Sequence, residues 1–125
     1  KKYNWIGDWV SDTKIVEVGL CGPGRHPVTN SDGESIDAFI FEGQVANPLD
    51  FLAHIKRSTE FLQSVKHEAT DALVLYVTGL TPVLTSFLQV WEWTQEVVRE
   101  DGGQPPQLIL MHYDRDSESY VPQHF

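Results

Sequence analysis

The sequence predicts a small α/β domain whose central strands run parallel and whose helices cross between them. Three observations carry this. Ala72–Val77 is an unbroken apolar run, which suits a strand buried on both faces of a parallel sheet. It meets a tight Thr78-Gly79-Leu80-Thr81-Pro82 turn with a helical pattern directly behind it. Strand-like and helix-like segments alternate through the rest of the chain, the pattern of β-α-β crossovers.

Taken in order, residues 1–13 are polar, carry Trp5 and Trp9, and read as an N-terminal arm covering an apolar edge of a single domain over 14–125. Lys14–Leu20 alternates, with Val16, Val18 and Leu20 on one face, and reads as the first strand. Cys21–Ser35 holds Gly, Pro, Asn, Asp and Ser and reads as a long loop with a turn near Asn30–Gly33. A loop of this length in a small domain tends to be functional. Ile36–Phe41 reads as a second strand.

Asn47 and Pro48 then stand where an N-cap and first helical residue are wanted, with Asp50 as a capping-box acid. The helix should run to Lys66 on a stripe of Leu49, Leu52, Ile55, Thr59, Leu62 and Val65, leaving His54 and His67 at the surface. The next helix should start at Thr81 as N-cap, with Pro82 behind it, and end before Gly102-Gly103. It carries a second apolar stripe, Val90, Trp93 and Val97, which predicts a homodimer through helix 82–99. Gln107–Tyr113 and Tyr120–Phe125 close the chain as an antiparallel pair across a charged turn. The whole is a Rossmann-like three-layer α/β domain, with central parallel strands and antiparallel edge strands.

Length and charge bound the function. A chain of 125 residues is one domain and buries roughly two-thirds of its unfolded surface without staples. A formal charge of −9 argues against a surface for duplex nucleic acid. It permits a phosphorylated ligand in a local pocket, or an acidic non-enzymatic inhibitor that docks on a basic macromolecule. With Cys21 as the one cysteine there is no intramolecular disulfide, so a reducing, cytoplasmic setting is expected. No apolar run approaches the roughly 20 residues of a membrane span. The opening KKYNWIGDWV does not read as a signal peptide.

Chemistry in such a sheet belongs outside the carboxyl ends of the parallel strands. There stand Arg25 and His26 behind the first strand, Thr78, Gly79 and Thr81 behind the third, and His112, Tyr113, Asp114, Arg115 and Asp116 at the end of the fourth. Helix amides with the Thr78 and Thr81 hydroxyls could seat an anion, and Gly79 lets it approach the backbone. Arg25 offers a fork matched to phosphate. His112 is the candidate acid or base, and Asp114 a candidate ligand contact. Cys21 reads as a packed small group rather than a nucleophile, because only three residues separate it from Arg25 where a tyrosine-phosphatase loop has five. GxGxxG, Walker A, HExxH and GxSxG patterns are absent. No cofactor is expected, and no metal.

The segment from Tyr76 to Leu88, YVTGLTP and the helix behind it, resembles a motif of CRISPR-associated Rossmann-fold (CARF) domains and small ring-nuclease-like proteins. Thr78, Gly79, Thr81 and Pro82 match that motif, and Leu80 stands where it has a second Gly. The resemblance implies a dimer that holds a cyclic oligonucleotide second messenger near Thr78, Gly79, Thr81 and Arg25, in a CRISPR-associated or anti-defence setting. The expectation is a protein that sequesters a nucleotide-like anion, or cleaves it as a metal-independent phosphodiesterase with His112 and Arg25.

Overall fold

The computed structural model describes residues 14–24, 27–43 and 45–125. The expected N-terminal arm, Arg25 and His26 therefore lie outside the described residues. Five strands, β1 (Ile15–Gly22), β2 (Phe39–Glu42), β3 (Ala72–Tyr76), β4 (Gln107–Asp114) and β5 (Ser119–His124), form one sheet in the order β2-β1-β3-β4-β5. Strand β3 pairs in parallel with β1 on one side and β4 on the other, while β5 returns antiparallel on β4. Every residue of β3 is buried, as the unbroken run ALVLY requires of a central parallel strand. The edge strand β2 runs parallel to β1, so β5 supplies the antiparallel edge among the described strands.

Alternation along the strands sorts the core into two faces. Leu73 and Leu75 join Val18, Leu20, Ile40, Leu108 and Leu110 beneath the helices α1 (Phe51–Ser64) and α2 (Thr81–Glu100). Val74 and Tyr76 join Ile109, Met111 and Phe39 on the opposite face, where Val28 and Ile36 close over them. Two parallel neighbours cannot be joined by a hairpin, so the chain must cross over between β1 and β2. The crossover is a Pro- and Gly-rich loop rather than a helix. It is pinned by the Thr29–Ser35 bridge and by the Ile36 amide on the Val28 carbonyl at 2.7 Å. The third layer of the domain is thus a structured loop, and Ile36 serves there as an anchor, three residues before β2 begins. Gly19 makes room for this arrangement: a Cβ there would collide with the Phe39 ring.

Both helices depart from expectation at their first turn. The Asn47 side chain accepts the Leu49 amide in a local turn, and Asp50 caps α1 by accepting the Ala53 amide at 3.2 Å. Asp is as good a cap as Asn, and the Asn-Pro pair makes the turn before it. The inward face of α1 is then His54, Ser58 and Leu62, while Leu49, Phe51 and Leu52 are exposed, Leu52 by 81%. A histidine can take that inward place because a ring nitrogen bonds the Pro48 carbonyl and the ring meets Phe41 edge-on. His67 is likewise not a surface residue of the helix. It opens a 3-10 turn, half-buried, with one ring nitrogen on the Leu62 carbonyl. In α2 the cap position is Leu80, with no side-chain hydrogen bond, and Thr81 is the first helical residue. Val90 belongs to the core, which removes it from the outward stripe expected of a dimer face and leaves Trp93 and Val97 exposed. No helix among the described residues is long and apolar enough to cross a membrane.

Candidate functional site

The strand order makes β1 and β3 a topological switch point. From β1 the chain crosses to β2 on one side; from β3 it crosses to β4 on the other. The diverging connections leave a crevice outside the carboxyl ends of the strands. At its base Thr78 joins the two strand ends. Its hydroxyl donates to the Cys21 carbonyl at 2.6 Å and accepts the Cys21 amide at 3.0 Å. Gly79 follows with φ of +92°, and a Cβ there would lie 2.7 Å from the Cys21 side chain. Glycine is thus demanded twice, by backbone shape and by the sulfur packed against it. Burial pushes the Cys21 thiol up from its ordinary pKa, more than the Leu80 backbone hydrogen bond pulls it down. The sulfur packs against Gly79 and holds its proton more firmly than a free thiol does.

Above this base lies a cleft of ≈ 870 Å³. Thr29, Asn30 and Ser31 of the loop form one wall, and Thr78 and Gly79 border it at the base. Tyr113, Arg115, Ser119 and Tyr120 of the β4–β5 hairpin form the other wall, with Tyr76 on the floor. The loop wall is held by Asn30. Its side-chain oxygen accepts the amides of Asp32 and Glu34, and its nitrogen donates to the carboxylates of Glu17 and Glu34. All four of its hydrogen-bonding positions are filled, so Asn30 shapes the wall. The hairpin wall is aromatic. Tyr76 and Tyr120 meet edge to face at 5.1 Å, and Tyr120 meets Tyr113, its cross-strand partner, at 5.3 Å. Burial, and then the neighbouring Tyr113, push the Tyr120 phenol up, so it stays neutral well into alkaline solution.

The residues singled out in the sequence divide. Thr78 and Gly79 stand at the cleft, with the Thr78 hydroxyl occupied by Cys21. Thr81 is exposed on the first turn of α2 and does not line the cleft; its carbonyl takes the Thr85 hydroxyl. That turn offers an anion less than its position promises. Pro82 has no N–H, and the amides of Val83 and Leu84 both reach the Leu80 carbonyl. His112 falls between the cleft-lining Met111 and Tyr113, so strand alternation sends it to the other face, where its Nε2 pairs with Gln123 at 2.7 Å. Asp114 is spent on the hairpin turn. Its carboxylate accepts the Ser117 hydroxyl at 2.8 Å and the Asp116 amide at 3.2 Å, and these bonds hold its pKa below the ordinary value.

Tyr113 and Arg115 stand among the groups expected at the end of the fourth strand, with no role assigned to them; Tyr120 was not anticipated. A signal was present: two tyrosines flank the DRDSES turn at equal distance from its centre, where a hairpin pairs them. Among the described residues no three His, Cys, Asp or Glu side chains are placed to hold a metal ion. Comparisons with family models, with curated proteins and with solved structures each gave no match.

Proposed function

We propose that this cleft binds a nucleotide-like anionic small molecule and that the protein sequesters it. The observation that carries the reading is the convergence of the β1, β3 and β4 carboxyl ends on one cleft at the switch point. That is where open α/β sheets hold ligands. Arg115 is the one Lys or Arg among the described lining residues, a fork suited to phosphate oxygens, and hydroxyls of Thr29, Ser31 and Ser119 surround the space. The likeness of Tyr76–Leu88 to the CARF turn points the same way, with a cyclic oligonucleotide as the finer form of the ligand.

Sequestration is favoured over cleavage because, among the described residues, the candidate cleaving groups are not gathered at the cleft. His112 faces away, bonded to Gln123, and the Cys21 thiol keeps its proton. Calorimetric titration of the protein with mono-, di- and cyclic oligonucleotides tests the reading. Binding of at least one, weakened about tenfold or more by Arg115→Ala, is expected from loss of a charge-assisted hydrogen bond. No binding by the intact protein across the panel contradicts it.

A second reading, an acidic protein that docks on a basic macromolecule, draws on the −9 charge and on exposed Leu49, Phe51 and Leu52 around the first turn of α1. Recovery of a basic partner that is lost steeply with added salt would favour it.

A further inference from the structure

We propose that Tyr113 is the ring-recognition residue of the cleft: a nucleobase stacks on its exposed ring while Arg115 holds the phosphate. The proposal rests on the reading of the cleft as a nucleotide site and names the feature of the ligand that the site selects.

Three tyrosines lead from the floor of the cleft onto the hairpin wall with rising exposure. Tyr76 is fully buried, Tyr120 half-buried, and Tyr113 is 53% exposed. Each meets the next at a steep angle, 84° for Tyr76 with Tyr120 and 66° for Tyr120 with Tyr113. Edge-to-face contact fixes ring orientation beyond what burial alone does. Tyr120 is held between two rings. Tyr113 has Tyr120 as its one ring partner among the described residues and keeps about half of its surface exposed. An exposed ring held in place on a rigid strand pair loses little side-chain entropy when a flat ligand lies on it.

Stacking suits every base, because each presents a π-face, and it asks nothing of hydrogen-bond donors. The donors near the ring support that division of labour. The Asn30 side chain is filled by the loop, and the Thr78 hydroxyl by Cys21. Arg115 lies two residues beyond Tyr113 and lines the same cleft, so ring and cation are offered from one hairpin.

The test is calorimetry of the wild-type protein, Tyr113→Phe and Tyr113→Ala with the four ribonucleoside 5′-monophosphates, and with ribose 5-phosphate as the ringless probe. Tyr113→Ala should weaken the best-bound monophosphate at least about fivefold, the lower end of what one stacked base contributes. Tyr113→Phe should stay within about twofold of wild type, since the ring is kept. Ribose 5-phosphate should bind more weakly than the monophosphate and be indifferent to Tyr113→Ala. Circular dichroism checks that both variants fold. Monophosphate binding that is unchanged in Tyr113→Ala, or lost equally in Tyr113→Phe, overturns the stacking role and leaves the nucleotide reading standing. Absence of monophosphate binding by the wild-type protein overturns the stacking role as stated. Absence of binding to the oligonucleotides as well removes the reading beneath it.

Discussion

Gly79 packs against the Cys21 side chain at the switch point, and both make predictions. Gly79→Ala must place a methyl 2.7 Å from the Cys21 side chain at a φ of +92°. Backbone strain alone costs about 1–2 kcal/mol there, so urea denaturation should show a loss of at least about that size. The raised Cys21 pKa also fixes the sign of a pH effect. The folded chain holds the thiol proton more firmly than the unfolded chain does. This contribution to stability is therefore full below the unfolded value and is lost as the pH climbs through the folded one. Alkylation by iodoacetamide should accordingly reach half its plateau rate above pH 9.0, the ordinary thiol value. A midpoint near neutrality would mean an activated nucleophile. Single residues were partly legible in advance. The Thr-Gly turn was visible as a junction, but a hydroxyl gives no sign in sequence of whether it faces a ligand or a neighbouring strand. Thr78 spends both its roles on Cys21, a residue 57 positions away.

Elements were legible in kind and order, and less so at their starts. The strands and helices of the described residues fall close to where the sequence puts them, β1 and the helices by a period of two or 3.6 that accumulates over several residues, and β3 by its unbroken apolar run. Helix α1 shows where that information ends. Asn47 and Asp50 are both cap-competent, and spacing alone does not rank them. Since Asp50 makes the cap, Asp50→Ala should lower stability by about 1 kcal/mol in thermal or urea denaturation. Asn47→Ala, which removes only a turn bond before the helix, should cost less. The inward face of α1 was hidden for a related reason. His54 and Ser58 read as polar, yet they are buried, and the bond from His54 to the Pro48 carbonyl is a tertiary fact. The hairpin turn makes its own prediction. Asp114 has its pKa lowered by the Ser117 hydroxyl and then the Asp116 amide, so its contribution is present above the ordinary carboxylate range. It is lost as the pH falls through the lowered value. Nuclear magnetic resonance of the Ser117 and Asp116 amides should report loosening of the turn only in strongly acidic solution.

Across the whole molecule, the sheet order brings together what the chain keeps apart. Thr29, Gly79 and Tyr113 come from three separate stretches of the chain and meet at one cleft because β1, β3 and β4 are adjacent and parallel. The central apolar run pointed to a buried parallel strand, whereas the adjacency of its neighbours was only a premise of the expected site and is supplied by the sheet order. The composition of the far wall did not follow, because it depends on the register Tyr113 with Tyr120 across the hairpin. The same scale revises the expected dimer. With Val90 in the core, the outward stripe of α2 shrinks to Trp93 and Val97, exposed by 57% and 55%. Two side chains fall well short of the roughly 800 Å² per partner of a standard interface. Trp93→Glu should therefore leave the sedimenting mass unchanged, and a fall in mass would restore the dimer.

The cleft as a ligand site is the centre of the account, and a residue-resolved titration tests it most directly. Amide spectra of the isotope-labelled protein, recorded while a tightly bound nucleotide is added, report where it sits. Saturable shifts are expected at Cys21, Gly79, Tyr113, Arg115 and Tyr120, with the exposed apolar turn at Leu49–Leu52 unmoved. Shifts confined to that turn or to the outer face of α2, with the cleft amides silent, would contradict the cleft as the ligand site.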